Sequence, residues 1–519
     1  MQASPGETMV PILGQVETDA VERRRRFKPL TLFPLVALVF YDVSGGPFGI
    51  EEAVSDGGPL LAILGFLILP LVWSVPEAMI TAELATAFPE NSGYVAWVTA
   101  AFGPFWGFQE GFFSWLSGVT DNSVYPVMFL TYLDAILPGL DDPVKRYTSL
   151  AVASLLLAYL NYRGLSIVGW AAVAMTIFII VPFIVLVGIA APHVEPKHWV
   201  AQDWKGVQWG PFLNVMFWNL NYWDSVSTLA GEVPKPHRTV PRALGMAVLL
   251  VVVTYVVPLL AGIGITTSVQ DWQLGYFAHI AQMVGGKWLG WWVVAAAAVS
   301  QIGQFEAEMS SDAFQLLGMA ERGFLPAALA KRSKHDTPTL AICCSSIGIL
   351  MLVTFNFSQI VELLNVIYCI AELMEFAAFI WLRIAAPELH RPYRVPLPTW
   401  ACALMLLPAS ALLLTLIGMP ILQLDWLVIG WTLGAMIVGG CLYPLLQRAR
   451  KDQWCRFMGT SPHDFSDALK GLFIPYSLVN SLTPSRTTSG ELPAHLGLAG
   501  ENGVQSAHGS PSAGQPSSA

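Results

Sequence analysis

A chain of 519 residues has the length of two or three soluble domains, but 54% of it is hydrophobic, only 12% is charged, and mean hydropathy is +0.56. That composition excludes an ordinary soluble globule. The formal net charge of −9 gives no basis for a nucleic-acid partner.

In chain order, residues 1–30 lack an apolar core, which argues against a cleavable signal and for an N-terminal arm. About twelve apolar spans follow, near 31–53, 58–87, 101–137, 147–161, 164–191, 209–232, 241–266, 286–320, 338–356, 359–384, 400–418 and 425–447. Stretches such as AAVAMTIFIIVPFIVLVGIA (171–190) show no polar face and are long enough to cross a bilayer core of about 30 Å. The third and eighth spans are overlong, and strong tilt is the expected remedy. Residues 457–519 drift into Ser, Gly, Pro and Ala and read as a disordered tail. The fold class is therefore an all-α polytopic membrane protein in a lipid bilayer.

With the N-terminus inside and twelve crossings, the outer side receives only Lys145, Arg146, Lys197, Lys205 and Lys287 of the 27 Lys and Arg. The positive-inside rule then puts both termini in the cytoplasm. The six cysteines fall in spans or on the inner side, at spacings that match no metal site. No metal, cofactor or structural disulfide is expected. No nucleophile and base pair appears either, so the reading is not an enzyme.

The charges inside the spans carry the functional information. From Pro29 to Val144 there is no Lys, Arg or His, yet there are twelve carboxylates. Asp42, Glu83, Glu110 and Asp121 sit deep in spans without a basic partner in that interval. Each costs roughly 2.5–3.5 kcal/mol on insertion scales. Asp224, Glu306, Glu308, Asp312, Glu362, Glu372 and Glu375 repeat the pattern later. Only protons or a passing cation can neutralise such a set, so the acid-rich interior points to a positively charged passenger.

Two spans are also interrupted. Span 1 breaks at VSGGPFG (43–49), and span 6 holds FWNLNYWDSVSTLAG (217–231), with Asn219, Asn221 and Asp224 among aromatics. A break frees backbone groups that lipid cannot satisfy, so it must line a cavity. The breaks lie five spans apart, matching positions of a 5+5 arrangement, as in transporters built from inverted repeats.

The stretches FYDVSGGPFGIE, ITAELATAFPENSGYVAWV, FWGFQEGFFSWLSGVTDNSVYPV, FWNLNYWDSVSTLAGEVPKP and MAERGFLP together resemble the amino acid–polyamine–organocation transporters. Within them the match is to the plant polyamine-uptake branch, close to the L-type amino acid transporters, over about residues 30–450. The resemblance implies the LeuT-like fold: first repeat 31–191, second repeat 209–384, and two extra helices at 400–447. It implies that Ser44, Gly45 and Gly46 are the unwound turn that receives substrate, with Asp42 one turn before. It puts an aromatic gate at Trp218 and a carboxylate six residues on at Asp224. It also implies site positions at Asn122, beside Asp121 and Tyr125, and at Glu308. Asp42 departs from the glutamate usual in that branch. The outer-loop cysteine that joins L-type transporters to a partner chain is missing from LPGLDDPVKRY (137–147), so no disulfide-linked partner is expected.

The reading is a permease that imports putrescine, spermidine, spermine or similar organic cations by alternating access, coupled to protons, in the plasma membrane or an endomembrane. An extended cation needs several carboxylates along a cavity and aromatic walls. Tyr125, Trp218, Tyr222 and Trp223 offer cation–π contacts of roughly 0.5–2 kcal/mol each. Asp224 is the candidate proton-coupling residue, able to hold a proton when no amine is present and release it when one binds. A broad neutral amino acid permease and a nutrient-sensing receptor with a permease fold are the rival readings.

Overall fold

The computed structural model describes residues 30–134, 142–266 and 268–458, all within one compact unit. The arm at 1–29 and the tail at 459–519 lie outside the described residues. Phe457, where the tail was expected to start, is held by an antiparallel bridge to Pro326. No other strand pairing occurs among the described residues.

The elements are α1 (Leu32–Val43), α2 (Glu51–Gly57), α3 (Pro59–Ala87), α4 (Tyr94–Phe102), α5 (Pro104–Asn122), α6 (Val124–Asp134), α7 (Pro143–Tyr162), α8 (Leu165–Ala190) and α9 (Trp209–Trp218). After a short 3-10 segment at Ser225–Glu232 come α10 (Pro236–Ile265), α11 (Tyr276–Gly285), α12 (Lys287–Glu321), α13 (Thr339–Leu352), α14 (Phe357–Ala385), α15 (Thr399–Gln423) and α16 (Trp426–Lys451). Among the described residues six helices, α3, α10 and α14–α16 among them, are long and apolar enough to cross a membrane; α1 and α13 are shorter apolar helices. This is a multi-pass membrane protein.

Helices lie over the expected apolar stretches, with local differences. The overlong third span is two helices, α5 and α6, interrupted at Ser123. Pro126 has no N–H for the Asn122 carbonyl, which removes a helical hydrogen bond at this point. Ser123 instead donates from its hydroxyl to the Thr120 carbonyl at 2.6 Å. The eighth span is a single helix, α12, of 35 residues, roughly 52 Å at 1.5 Å per residue. A π turn at Pro70–Ser74 inside α3 precedes Pro76, which likewise cannot bond the carbonyl four residues back. The short helices α4 and α11 were not foreseen.

Glu83 is the other correction. Its partners come from 300 residues downstream: Arg383 Nε donates to Glu83 Oε1 at 3.0 Å, and Arg391 Nε lies 3.1 Å from the same oxygen. Val395 N–H donates to Glu83 Oε2 at 2.8 Å. A span acid without a basic residue nearby in sequence has two in space.

The long helix α12 positions the site. It packs against α1, α5, α6, α7, α8 and the 3-10 segment, so both breaks and the α5–α6 break face it. One face of α12 presents Ser300, Gln304, Glu308 and Asp312 at four-residue spacing, all buried.

Candidate functional site

The first break runs from Ser44 to Ile50 between α1 and α2. Gly45 (φ +62), Gly46 (φ +105) and Gly49 (φ +86) adopt left-handed or related backbone that side chains disfavour. Close approach needs the same residues: a Cβ on Gly45 would run into Gln304, and one on Gly49 into the Trp218 ring. Side chains cap the freed backbone. Ser300 Oγ donates to the Gly45 carbonyl at 2.5 Å, Ser44 Oγ accepts from Gly46 N–H at 3.1 Å, and Glu51 Oε2 accepts from Gly49 N–H at 2.8 Å.

The second break runs from Asn219 to Asp224, with Tyr222 at φ +67. The Leu220 carbonyl accepts from the indole N–H groups of Trp73 (3.0 Å) and Trp223 (2.7 Å), and the Asn219 carbonyl from the Tyr255 hydroxyl (2.9 Å). Asn219 Nδ2 donates to the Gly49 carbonyl at 3.2 Å, which ties one break to the other.

Between the breaks lies a small closed pocket lined by Asp42, Val43, Ser44, Asp121, Tyr125, Trp218, Asn219, Asn221 and Gln304. In this conformation its walls leave no room for a bound molecule. Trp218 Nε1–H donates to Asp121 Oδ1 at 2.7 Å, and the Tyr125 hydroxyl donates to Asp121 Oδ2. Asp42 is engaged far less: Ser311 Oγ lies 3.5 Å from Oδ1, and Oδ2 has no hydrogen-bond partner. The amide of Asn221 also has no partner, although it is buried. None of the ion pairs among the described residues involves Asp42 or Asp121. Two buried acids facing each other with no cation between them repel whenever both are charged.

Beyond the pocket is an open vestibule of about 500 Å³ between α2, α6, α9 and α14, lined by Glu52, Asp56 and Glu362 with no Lys or Arg. Phe357 lines the vestibule and Trp218 the pocket, and their rings meet edge to face at 5.2 Å between centroids. This aromatic pair links a lining residue of the pocket to one of the vestibule.

The structure thus brings seven expected residues to one pocket: Asp42, Ser44, Asp121, Tyr125, Trp218, Asn219 and Asn221. Gly45 and Gly46 form the turn beside it. Glu308 stands behind it with Asp312, where Gly118 of α5 leaves space for both carboxylates; it lies within electrostatic reach of Asp121 and Asp42. The Tyr222 ring points elsewhere, its hydroxyl 2.6 Å from Ser117 Oγ. Asn122 is buried with its amide unpartnered and does not line the pocket. Asp224 does not line it either: its Oδ1 lies 2.8 Å from the Tyr368 hydroxyl oxygen. Sequence reasoning missed Gln304, Tyr368 and Glu77 as parts of this region. The four-residue polar rhythm of α12 was the signal for Gln304; nothing local marked Tyr368.

A profile of the family described as "Amino acid permease" matches residues 30–440. The relatives include an Arabidopsis thaliana protein named as a probable polyamine transporter, 54% identical over 432 residues, which cover 83% of this chain and 89% of that one. Polyamine transporter PUT1 of Oryza sativa subsp. japonica is 50% identical over 431 residues (83% of this chain, 80% of that one). Polyamine transporter RMV1 of Arabidopsis thaliana is 48% identical over 453 residues (87% and 91%). The match runs across the helical bundle that builds both breaks and the acidic pocket, and the chain belongs to the amino acid permease family.

Proposed function

We propose that this protein is a membrane permease that imports polyamines. The carrying observation is the pair of buried carboxylates at the facing breaks, Asp42 and Asp121, with no basic residue among the described ones paired to either. An ammonium group supplies the missing charge and donates to the free oxygen of Asp42. The relatives named as polyamine transporters support the same substrate class. A neutral amino acid would bring its own carboxylate into this acid-rich space, which disfavours the broader amino acid reading.

In this reading the chain crosses the membrane about twelve times, with both termini cytoplasmic. Residues 31–191 and 209–384 form two inverted five-helix repeats, and 400–447 two further helices. The vestibule faces outward, and its acids raise the local concentration of polycations. Trp218 swings from Phe357 to admit substrate, then closes over it. A plasma-membrane potential of about 100 mV, inside negative, favours a trivalent passenger by roughly 7 kcal/mol. Protons move with the substrate through Asp224. No cofactor takes part, and the chain works without a disulfide-linked partner.

The test is uptake of radiolabelled spermidine, putrescine and leucine by the purified chain in proteoliposomes. Saturable spermidine uptake, competed by putrescine and not by leucine, is expected. Leucine transport without spermidine transport would refute the reading, and binding without flux would favour a receptor.

A further inference from the structure

Asp224 belongs to a second polar centre, and Tyr368 of α14 is its hub. The Tyr368 hydroxyl lies 2.9 Å from Glu77 Oε1, 2.8 Å from Asp224 Oδ1 and 3.1 Å from Glu372 Oε1. It also accepts from Tyr222 N–H at 3.0 Å. A tyrosine hydroxyl has one hydrogen to give. Of three carboxyl oxygens around it, only one can receive that hydrogen; the other two contacts set oxygen against oxygen unless a carboxyl hydrogen fills them.

The surrounding donors say which acid stays charged. Glu77 Oε1 also accepts from the backbone N–H groups of Trp223 (2.8 Å) and Asp224 (3.3 Å), so Glu77 is the anion. Tyr368 directs its hydrogen there, and the extra proton falls to Glu372, which returns it to the tyrosine oxygen. A second feature is independent of the hub. Glu375, one turn beyond Glu372 and 1% exposed, has neither carboxyl oxygen partnered by a donor. Its neighbours are Asp224 and Glu110, and a bond to either exists only if one of the pair carries a proton. The other titratable groups bearing on the centre are Tyr94, Asp42, Glu308 and Cys369. None of these acids enters an ion pair among the described residues.

We propose that Tyr368, Glu77, Asp224 and Glu372 form a proton-binding site, separate from the pocket, that latches the second break to α3 and α14 while the proton is bound. With the proton gone, three anions share one hydroxyl hydrogen and repel. The segment they hold contains Tyr222 at φ +67, a backbone kept in place by its surroundings. Losing the proton therefore frees the break to move, which is a bistable element biased by charge. The inference gives the proton-coupled reading its storage site, yet its test needs no transport.

The test uses the purified full chain without polyamine. Infrared spectra of the native protein at neutral pH should show a protonated carboxyl C=O band that Glu372→Gln removes and Tyr368→Phe shifts. Hydrogen exchange of residues 219–224 should accelerate with pH beyond the intrinsic rate in the native protein. In Glu372→Gln, whose amide replaces the bound proton as donor, exchange should stay slow and follow the intrinsic rate. In Tyr368→Phe it should be fast throughout, an opposite sign that a merely structural role would not give. Superimposable native and Glu372→Gln spectra would overturn the proposal. So would a band that appears only after chelation, since that would assign the three carboxylates to a metal ion, or exchange that tracks the intrinsic rate in all three proteins. Absence of spermidine binding would count against the polyamine reading and leave these outcomes unchanged.

Discussion

Asp42→Asn tests the pocket most directly, because it keeps the shape and removes only the charge. Asp42 is 3% exposed, has one oxygen without a partner, and has only a 3.5 Å contact at the other. Asp121 already receives the Trp218 indole and the Tyr125 hydroxyl. An arriving ammonium therefore meets unoccupied lone pairs at Asp42 and must share those of Asp121. Hydrogen bonds to charged groups contribute about 1.5–3 kcal/mol. At about 1.4 kcal/mol per factor of ten, Asp42→Asn should weaken the apparent affinity for spermidine by roughly 12- to 150-fold. Asp121→Asn should fall at the lower end of that range. The assay is initial uptake against spermidine concentration in proteoliposomes, with thermal melting to establish that each variant is folded. Folded variants whose affinities match the native protein would refute the assignment of the pocket to an ammonium group.

Gly49→Ala should lower both uptake and melting temperature: the left-handed backbone costs about 1–2 kcal/mol for a side chain, and the new Cβ meets the Trp218 ring at 2.7 Å. Glu83→Gln should abolish folded expression, since it strands Arg383 and Arg391 at a loss of roughly 3–5 kcal/mol; membrane yield on a fluorescence-detected column reads it. Neutralising Glu52, Asp56 and Glu362 together should slow uptake by about tenfold at low ionic strength and flatten its salt dependence, leaving maximal velocity intact. Asp224→Asn should lose the dependence of uptake on external pH under clamped voltage while saturable transport persists; an unchanged pH profile would remove Asp224 from the proton role.

The composition and the breaks were legible because each is a local property. A run such as 171–190 has no polar face, so it must meet lipid whatever the rest of the chain does. Glycines and a proline inside an apolar span mark a broken helix, and Ser44–Ile50 is broken. The acids of the pocket were legible one by one, since no basic residue lies near Asp42 or Asp121 in sequence.

What tertiary structure alone decided is which charges meet. Glu83 and Asp121 look alike as span acids in the sequence, but Arg383 reaches Glu83 across 300 residues, and among the described residues nothing basic pairs with Asp121. Six residues separate Trp218 from Asp224, yet the unwound backbone sends one to the pocket and the other to Tyr368, 144 residues away in sequence. Helix periodicity carries no information through a break, because the dihedral angles there are set by the side chains that cap it: Trp73, Glu77, Tyr255 and Tyr368 at the second break, Ser300 at the first. Those caps come from distant helices, so the direction of each site residue was fixed only when the bundle closed.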